Sequence, residues 1–458
     1  MKTGKNGGKA FAEGGYGCVF RPALKCLNVN TRPDGVSKLM VAEKAKSEYT
    51  EVTKFLKVLS KIPNYKSLFM FPDNMCKLAP LDKKIDLVGF NTKCEHLKTK
   101  AKITGATINT HLDKLLSITL PDGGNDVDIT CRHLNTSDDF LRINNSLIRL
   151  LKYGIIPMNY YKVYHFDVKD TNVLVDKDFT TRLTDWGLSG MVDSKEYIPS
   201  VISNRPMQSN LPFSNILFNP DTLGRIADFY QFNKKKYTYE LLESFMRDEF
   251  RRIEESIGTG HYDYLEPIYN DIIFKEYGYD FKDEVVGYLT QVVYNWKHPE
   301  YGFDLKKYFF NVFLPNADVW GFVTIYFAFF TNPDTMNVVN PVFYMNLRRV
   351  ILTHLMDNGH KPINLSKLVS DLKGLNTVIN GNKFRFESIL PRTPDTKFMR
   401  PTKNISFNAL LTANRKHVEK IMKRAHKNKT QKRKASSGKK TGSVLPPKSR
   451  KKRGVVKK

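Results

Sequence analysis

Apolar residues along this chain fall into segments with distinct periods. In "AKSEYTEVTKFLKVLSKI" (residues 45–62), Val52, Phe55, Leu56 and Leu59 recur at three- and four-residue spacing, which predicts an amphipathic helix. "KLLSITLPDGG" (114–124) reads as a strand running into a Gly-rich connector. "SDDFLRINNSLIRLLKYGI" (137–155) opens with acids, repeats Phe140, Ile143, Leu147, Leu150 and Leu151, and carries Gly154 near its end, so a second amphipathic helix is expected. Two short strands are expected next, Val173–Val175 and Arg182–Thr184, joined by a polar turn as in a hairpin. Residues 221–315 are charged, Tyr- and Phe-rich and helical in pattern. "VWGFVTIYFAFF" (319–330) is apolar all round and, at twelve residues, too short to span a bilayer, so it reads as a buried helix. Further helices are expected over 335–375, and beyond about Asn376 the periodicity fades.

Composition changes this picture in two places. Hydrophobic content of 41% and aromatic content of 12% suit globular cores in a chain of 458 residues. The net charge of +27 is concentrated at the end, where residues 415–458 carry 19 Lys and Arg against Glu419 alone. That segment is expected to be a disordered basic tail, able to hold nucleic acid non-specifically through counterion release and, at "PPKSRKKRG", similar to a nuclear-import signal. The five cysteines are scattered with no Cys-x-x-Cys pair, so neither a zinc site nor a disulfide framework is indicated. With no apolar N-terminal leader, a soluble intracellular protein without membrane contact is expected.

The chemistry concentrates in "VYHFDVKDTNVLVDKDFTTRLTDWG" (163–187). Asp167, Lys169 and Asn172 stand at offsets 0, +2 and +5, and Asp185 follows 18 residues after Asp167. Phosphoryl transfer needs a carboxylate to orient the acceptor hydroxyl and oxygen ligands for magnesium. The hairpin between Asn172 and Asp185 would bring those two residues together.

This stretch resembles the catalytic and metal-binding loops of eukaryotic-type serine/threonine protein kinases. The resemblance implies Asp167 as catalytic base, Lys169 as a γ-phosphate contact, and Asn172 and Asp185 as Mg2+ ligands, with ATP as phosphate donor. Upstream, "AEGGYGCVF" is similar to the family's phosphate-covering loop, which implies nucleotide contacts from Ala12, Gly14, Gly15, Tyr16, Gly17 and Val19. Lys38 in "GVSKLM" would be the α/β-phosphate lysine, paired with Glu48 or Glu51, of which Glu48 is preferred. "NADVWGF" (316–322) is similar to the start of the buried central helix, whose Asp318 would hold the catalytic-loop backbone. The fold implied is α+β and bilobal: a β-rich N-lobe over 1–120, and a mainly helical C-lobe over 121–400 with an insertion at about 221–315. "EGGYGCVFRPAL", "VSKLM", "YGIIPMN" and "NRPMQSNLPFSNILF" further resemble serine/threonine kinases of large nucleocytoplasmic DNA viruses. That resemblance implies protein substrates bearing Ser or Thr and a place in the host cytoplasm, nucleus or virion.

Two substitutions depart from the family. Phe166 stands where many kinases have an arginine that pairs with a phosphorylated activation segment, so activity is expected not to depend on phosphorylation through that contact. Trp186 replaces the usual phenylalanine and still supplies an apolar anchor. Two other classes compete. A small-molecule kinase of aminoglycoside or choline type shares the His-x-Asp…Asn loop and the Asp-Trp, but not Lys169 or the Gly14/Gly17 loop. A non-catalytic, nucleic-acid-binding pseudokinase would have lost one of Lys38, Asp167, Asn172 or Asp185, and all four are present.

Overall fold

The computed structural model describes residues 8–14, 17–29, 32, 34–193, 197–203, 205–258, 266–271, 280–330, 338–356, 359–382 and 407–437. Gly15 and Tyr16 of the Gly-rich stretch lie outside the described residues, as do 438–458 of the basic tail.

The N-terminal third forms an antiparallel five-stranded sheet in the order β1-β2-β3-β5-β4. Its strands are β1 (Lys9–Gly14), β2 (Gly17–Arg21), β3 (Gly35–Val41), β4 (Asn74–Cys76) and β5 (Leu115–Pro121). Helix α1 (Ala42–Leu59) follows β3 directly and buries Ala45, Val52, Phe55 and Leu59, the face its sequence period predicts. Strand alternation assigns the two faces of β3. Leu39 turns toward Cys18, Phe20, Phe90 and Leu97 on one side. Met40 meets Ala45, Leu116 and Ile118 on the other, beneath α1. Lys38, two residues before Met40, therefore emerges on the α1 face.

The remainder is mainly helical around one large core. The helix Ser137–Leu150 begins with a capping box between Thr136 and Asp139, which accounts for its acidic start. The expected hairpin forms with Val173–Val175 paired antiparallel to Thr181–Leu183, one residue earlier in its second strand than the sequence suggests. Residues 220–295 supply the helices Pro220–Asn233, Tyr239–Ile257 and Phe281–Asn295. The apolar run extends further than twelve residues: Leu305–Phe330 is continuously helical and long enough to cross a membrane, and its most apolar stretch is buried inside the protein. It is the central helix of this lobe. The whole is α+β, an antiparallel sheet region followed by a mainly helical remainder, consistent with the bilobal, protein kinase-like plan that the sequence resemblance implies.

Two expectations are corrected. Four cysteines are brought together as Cys18–Cys94 and Cys26–Cys76, separated by 76 and 50 residues, leaving Cys131 buried and free. Pairs so distant in sequence are made by sheet packing, and spacing alone gives no sign of them. The basic tail is also not disordered from residue 415, because a helix runs from Phe407 to Ser437. Leu410, Ile421 and Met422 are buried, which gives its first turns an apolar seam that the lysine-rich composition masks.

Candidate active site

Glu48 lies three residues past Ala45 and four before Val52 on the sheet-facing side of α1, so it meets Lys38. Lys38 Nζ donates to both Glu48 carboxylate oxygens, at 2.8 and 2.9 Å. Glu51, about 60° round the helix from Glu48, pairs with Lys54 in solvent. Lys38 Nζ also stands 3.6 Å from Asp185 Oδ1. Burial works against charge on Lys38, but Asp185 and Glu48 outweigh it and hold its pKa above the ordinary lysine value. Burial likewise opposes ionisation of Asp185, and the nearby Lys38 and Lys169 ammonium groups bring it below the usual carboxylate range.

Asp167 is held on both oxygens. Oδ2 accepts from Asn172 Nδ2 at 2.8 Å and lies 3.0 Å from Lys169 Nζ. Oδ1 accepts from Asn210 Nδ2 at 2.7 Å. Asn172 Nδ2 also donates to the Asp167 carbonyl at 2.8 Å, closing the loop on itself. Thr184 N donates to Asn172 O at 2.9 Å, so the hairpin brings the residue before Asp185 against Asn172. Lys38, Glu48 and Asp185 are thus joined by ion pairs, Asp167, Lys169 and Asn172 by a second set of contacts, and the Thr184–Asn172 bond brings the two groups together. Gly14, Gly17, Ala12 and Val19 lie on the β1–β2 hairpin. A Cβ at Gly17 would come 2.6 Å from Leu39 O, so only glycine lets β2 approach β3 there.

The backbone is strained at two residues of this cluster. Phe166 and Asp185 both have positive φ, 56° and 61°, which costs a bulky residue about 1–3 kcal/mol. Asp318 holds the first of these sites. Its Oδ2 accepts from His165 N at 2.8 Å and its Oδ1 from Phe166 N at 2.7 Å. Full burial pushes the Asp318 carboxyl up to about 7 against those two amides. His165 Nε2 donates to Thr184 O at 2.9 Å, and burial lowers its pKa, so the ring is neutral. Gly321 on the central helix permits the closest approach, since a Cβ there would meet Val168 O at 2.4 Å and Asn210 O at 2.8 Å.

No family model and no curated protein sequence matches the chain. Among solved structures, a chain in the structure of the CAK complex from Chaetomium thermophilum bound to ATP-gamma-S is similar at 15% identity and a TM-score of 0.26. The match covers 46% of this chain and 54% of that one, about half its length. A likeness at that level adds nothing to the reading of the site.

Trp186 is an anchor in its own right. Its indole N–H donates to Met70 O at 2.9 Å, and its ring stacks on Phe71 at 4.9 Å, with Phe69, Phe55 and His165 around the edge. It ties the loop after Asp185 to α1 and to the segment before β4. Sequence reasoning missed Arg205 and Asn210, both buried against the catalytic-loop stretch. The signal lay in their place within "NRPMQSNLPFSNILF", which stands where the substrate-docking end of a kinase activation segment is expected and assigns no role to either residue.

Proposed function

We propose that this chain is an ATP-dependent serine/threonine protein kinase, of the kind its sequence resembles in large DNA viruses. The observation that carries the reading is the convergence of the Glu48–Lys38–Asp185 chain of charges with Asp167, Lys169 and Asn172. In this reading Lys38 binds the α- and β-phosphates, oriented by Glu48. The β1–β2 hairpin with Ala12, Gly14, Gly15, Tyr16, Gly17 and Val19 covers the nucleotide. Asp167 accepts the proton of a substrate hydroxyl as its oxygen attacks the γ-phosphorus; the bond to the β–γ bridging oxygen breaks, and ADP leaves with that electron pair. Lys169 neutralises charge on the transferring group.

Among the described residues no three His, Cys, Asp or Glu side chains form a metal cage. Magnesium does not require one, being held by one or two protein oxygens, phosphates and water. The carboxylate of Asp185 and the amide oxygen of Asn172 are donors of the right hardness and would hold it, supplying neutralisation of phosphate charge.

Lys169 favours protein hydroxyls over small molecules, by the same resemblance. The test is transfer from labelled ATP to generic protein substrates, to aminoglycosides and to choline, followed by phosphoamino-acid analysis. Label on Ser and Thr supports the reading, and label confined to a small molecule refutes it. The basic tail is proposed to add non-specific, salt-sensitive contact with nucleic acid. Deleting 428–458, beyond the buried Ile421 and Met422, should abolish retention on DNA at low salt while leaving phosphate transfer intact.

A further inference from the structure

Position 166 carries no cation, yet a cation does reach the catalytic loop, from the opposite partner. Arg205 is buried at 9% exposure, and its Nη1 donates to the Phe166 carbonyl at 2.9 Å. Its Nη2 is held by Gln208 Oε1 and stands 3.9 Å from Asp167 Oδ1. Phe166 is therefore gripped on both sides of its strained backbone, by Asp318 at its N–H and by Arg205 at its carbonyl. Its ring is buried and stacked on Tyr164 at 5.6 Å, so a charged side chain in its place would have to be desolvated. Three further contacts seat the same segment. Asn210 donates to Asp167, Trp320 Nε1 donates to Ser209 O at 2.7 Å, and Gly321 makes way for the Asn210 carbonyl.

We propose that Arg205 is a positioning residue that locks segment 205–211 onto the catalytic loop with a permanent cation, so that the site is assembled in the unmodified protein. The proposal rests on the kinase reading and names how that site is regulated. The usual direction of the ion pair is reversed: the cation sits on the segment and its acceptors sit in the loop. A guanidinium keeps its charge when buried and presents several donors in one plane, so it can serve Phe166 O, Gln208 and Asp167 together. No phosphate is needed to complete the contact.

The test compares phosphatase-treated wild type, its lack of phosphate checked by mass spectrometry, with Arg205→Ala. Wild type should keep its kcat after treatment, and amides 207–211 should remain protected from hydrogen exchange. Arg205→Ala should exchange there at least tenfold faster and lose ten- to a hundredfold in kcat. Its KM for ATP should stay within twofold, because Lys38, Glu48 and Asp185 are untouched, and added guanidinium should restore part of kcat. Loss of wild-type protection on dephosphorylation, or an alanine variant with unchanged exchange, overturns the proposal. Should wild type transfer no phosphate at all, the kinase reading fails and the exchange measurement alone still decides the lock. Should Arg205→Ala not fold, Arg205→Lys takes its place, since the single nitrogen of an ammonium cannot span acceptors that are held by two separate guanidinium nitrogens. It should show intermediate exchange and a three- to tenfold lower kcat, and a lysine variant equal to wild type in both overturns the proposal.

Discussion

Replacing Trp186 by phenylalanine introduces the residue usual in the kinases that the sequence resembles, yet the structure predicts that it weakens this protein. The indole N–H is bonded to the carbonyl of Met70, a residue 3% exposed. Leaving that acceptor without its donor costs about 1–3 kcal/mol. Removing the second ring from a site enclosed by Phe55, Phe69 and Phe71 opens a cavity worth roughly 1 kcal/mol. The expected loss is therefore about 2–4 kcal/mol, a large share of the roughly 5–15 kcal/mol typical of a folded domain. Urea denaturation followed by far-ultraviolet circular dichroism reads it without relying on tryptophan fluorescence, which the substitution itself alters. Since Trp186 adjoins Asp185, phosphate transfer should fall as well. A variant within 0.5 kcal/mol of wild type would refute the view that this pocket is built for an indole.

Glu48→Gln should lower kcat/KM for ATP at least tenfold, whereas Glu51→Gln, whose partner is the solvent-facing Lys54, should leave it unchanged; equal effects would contradict the pairing. Burial, reinforced by Asp128 and Asp126, pushes Asp170 up to about 6. A carboxyl whose folded pKa is raised contributes stability that is complete below its unfolded value near 4 and lost as pH rises through about 6. Asp170→Asn should therefore be more stable than wild type at pH 8 by about 1 kcal/mol, after allowing for partial exposure, and level with it near pH 4; a pH-independent difference would count against this. Reduction of Cys18–Cys94 and Cys26–Cys76 should lower the melting temperature, each bridge closing a loop long enough to contribute about 4 kcal/mol. An identical melting curve with and without reductant would show that the bridges add no stability.

Much of this architecture is legible in the sequence because local pattern and tertiary role coincide. The period of α1 forecasts its buried face, and the acids before Phe140 forecast a capping box. Asp318 could be tied to the catalytic loop through the likeness of "NADVWGF" alone. Strand alternation through Met40 would also have separated Glu48 from Glu51, had the sheet face been known. What stayed hidden depends on contacts between distant segments. The cysteine pairs span 50 and 76 residues. Arg205 and Asn210 sit in a stretch without periodicity, and their partners are set only when the Leu305–Phe330 helix, through Trp320 and Gly321, fixes the path of the chain. The helix at Phe407–Ser437 was obscured for a different reason: its lysines dominate the composition while three residues make its seam.

The central claim is that the cleft transfers phosphate through Lys38 and Asp185. Labelled-ATP transfer by wild type, Lys38→Met and Asp185→Asn, each shown to be folded by circular dichroism, measures it directly. Robust labelling by wild type and at least a hundredfold less by both variants is the predicted result. Equal labelling by all three would contradict the account.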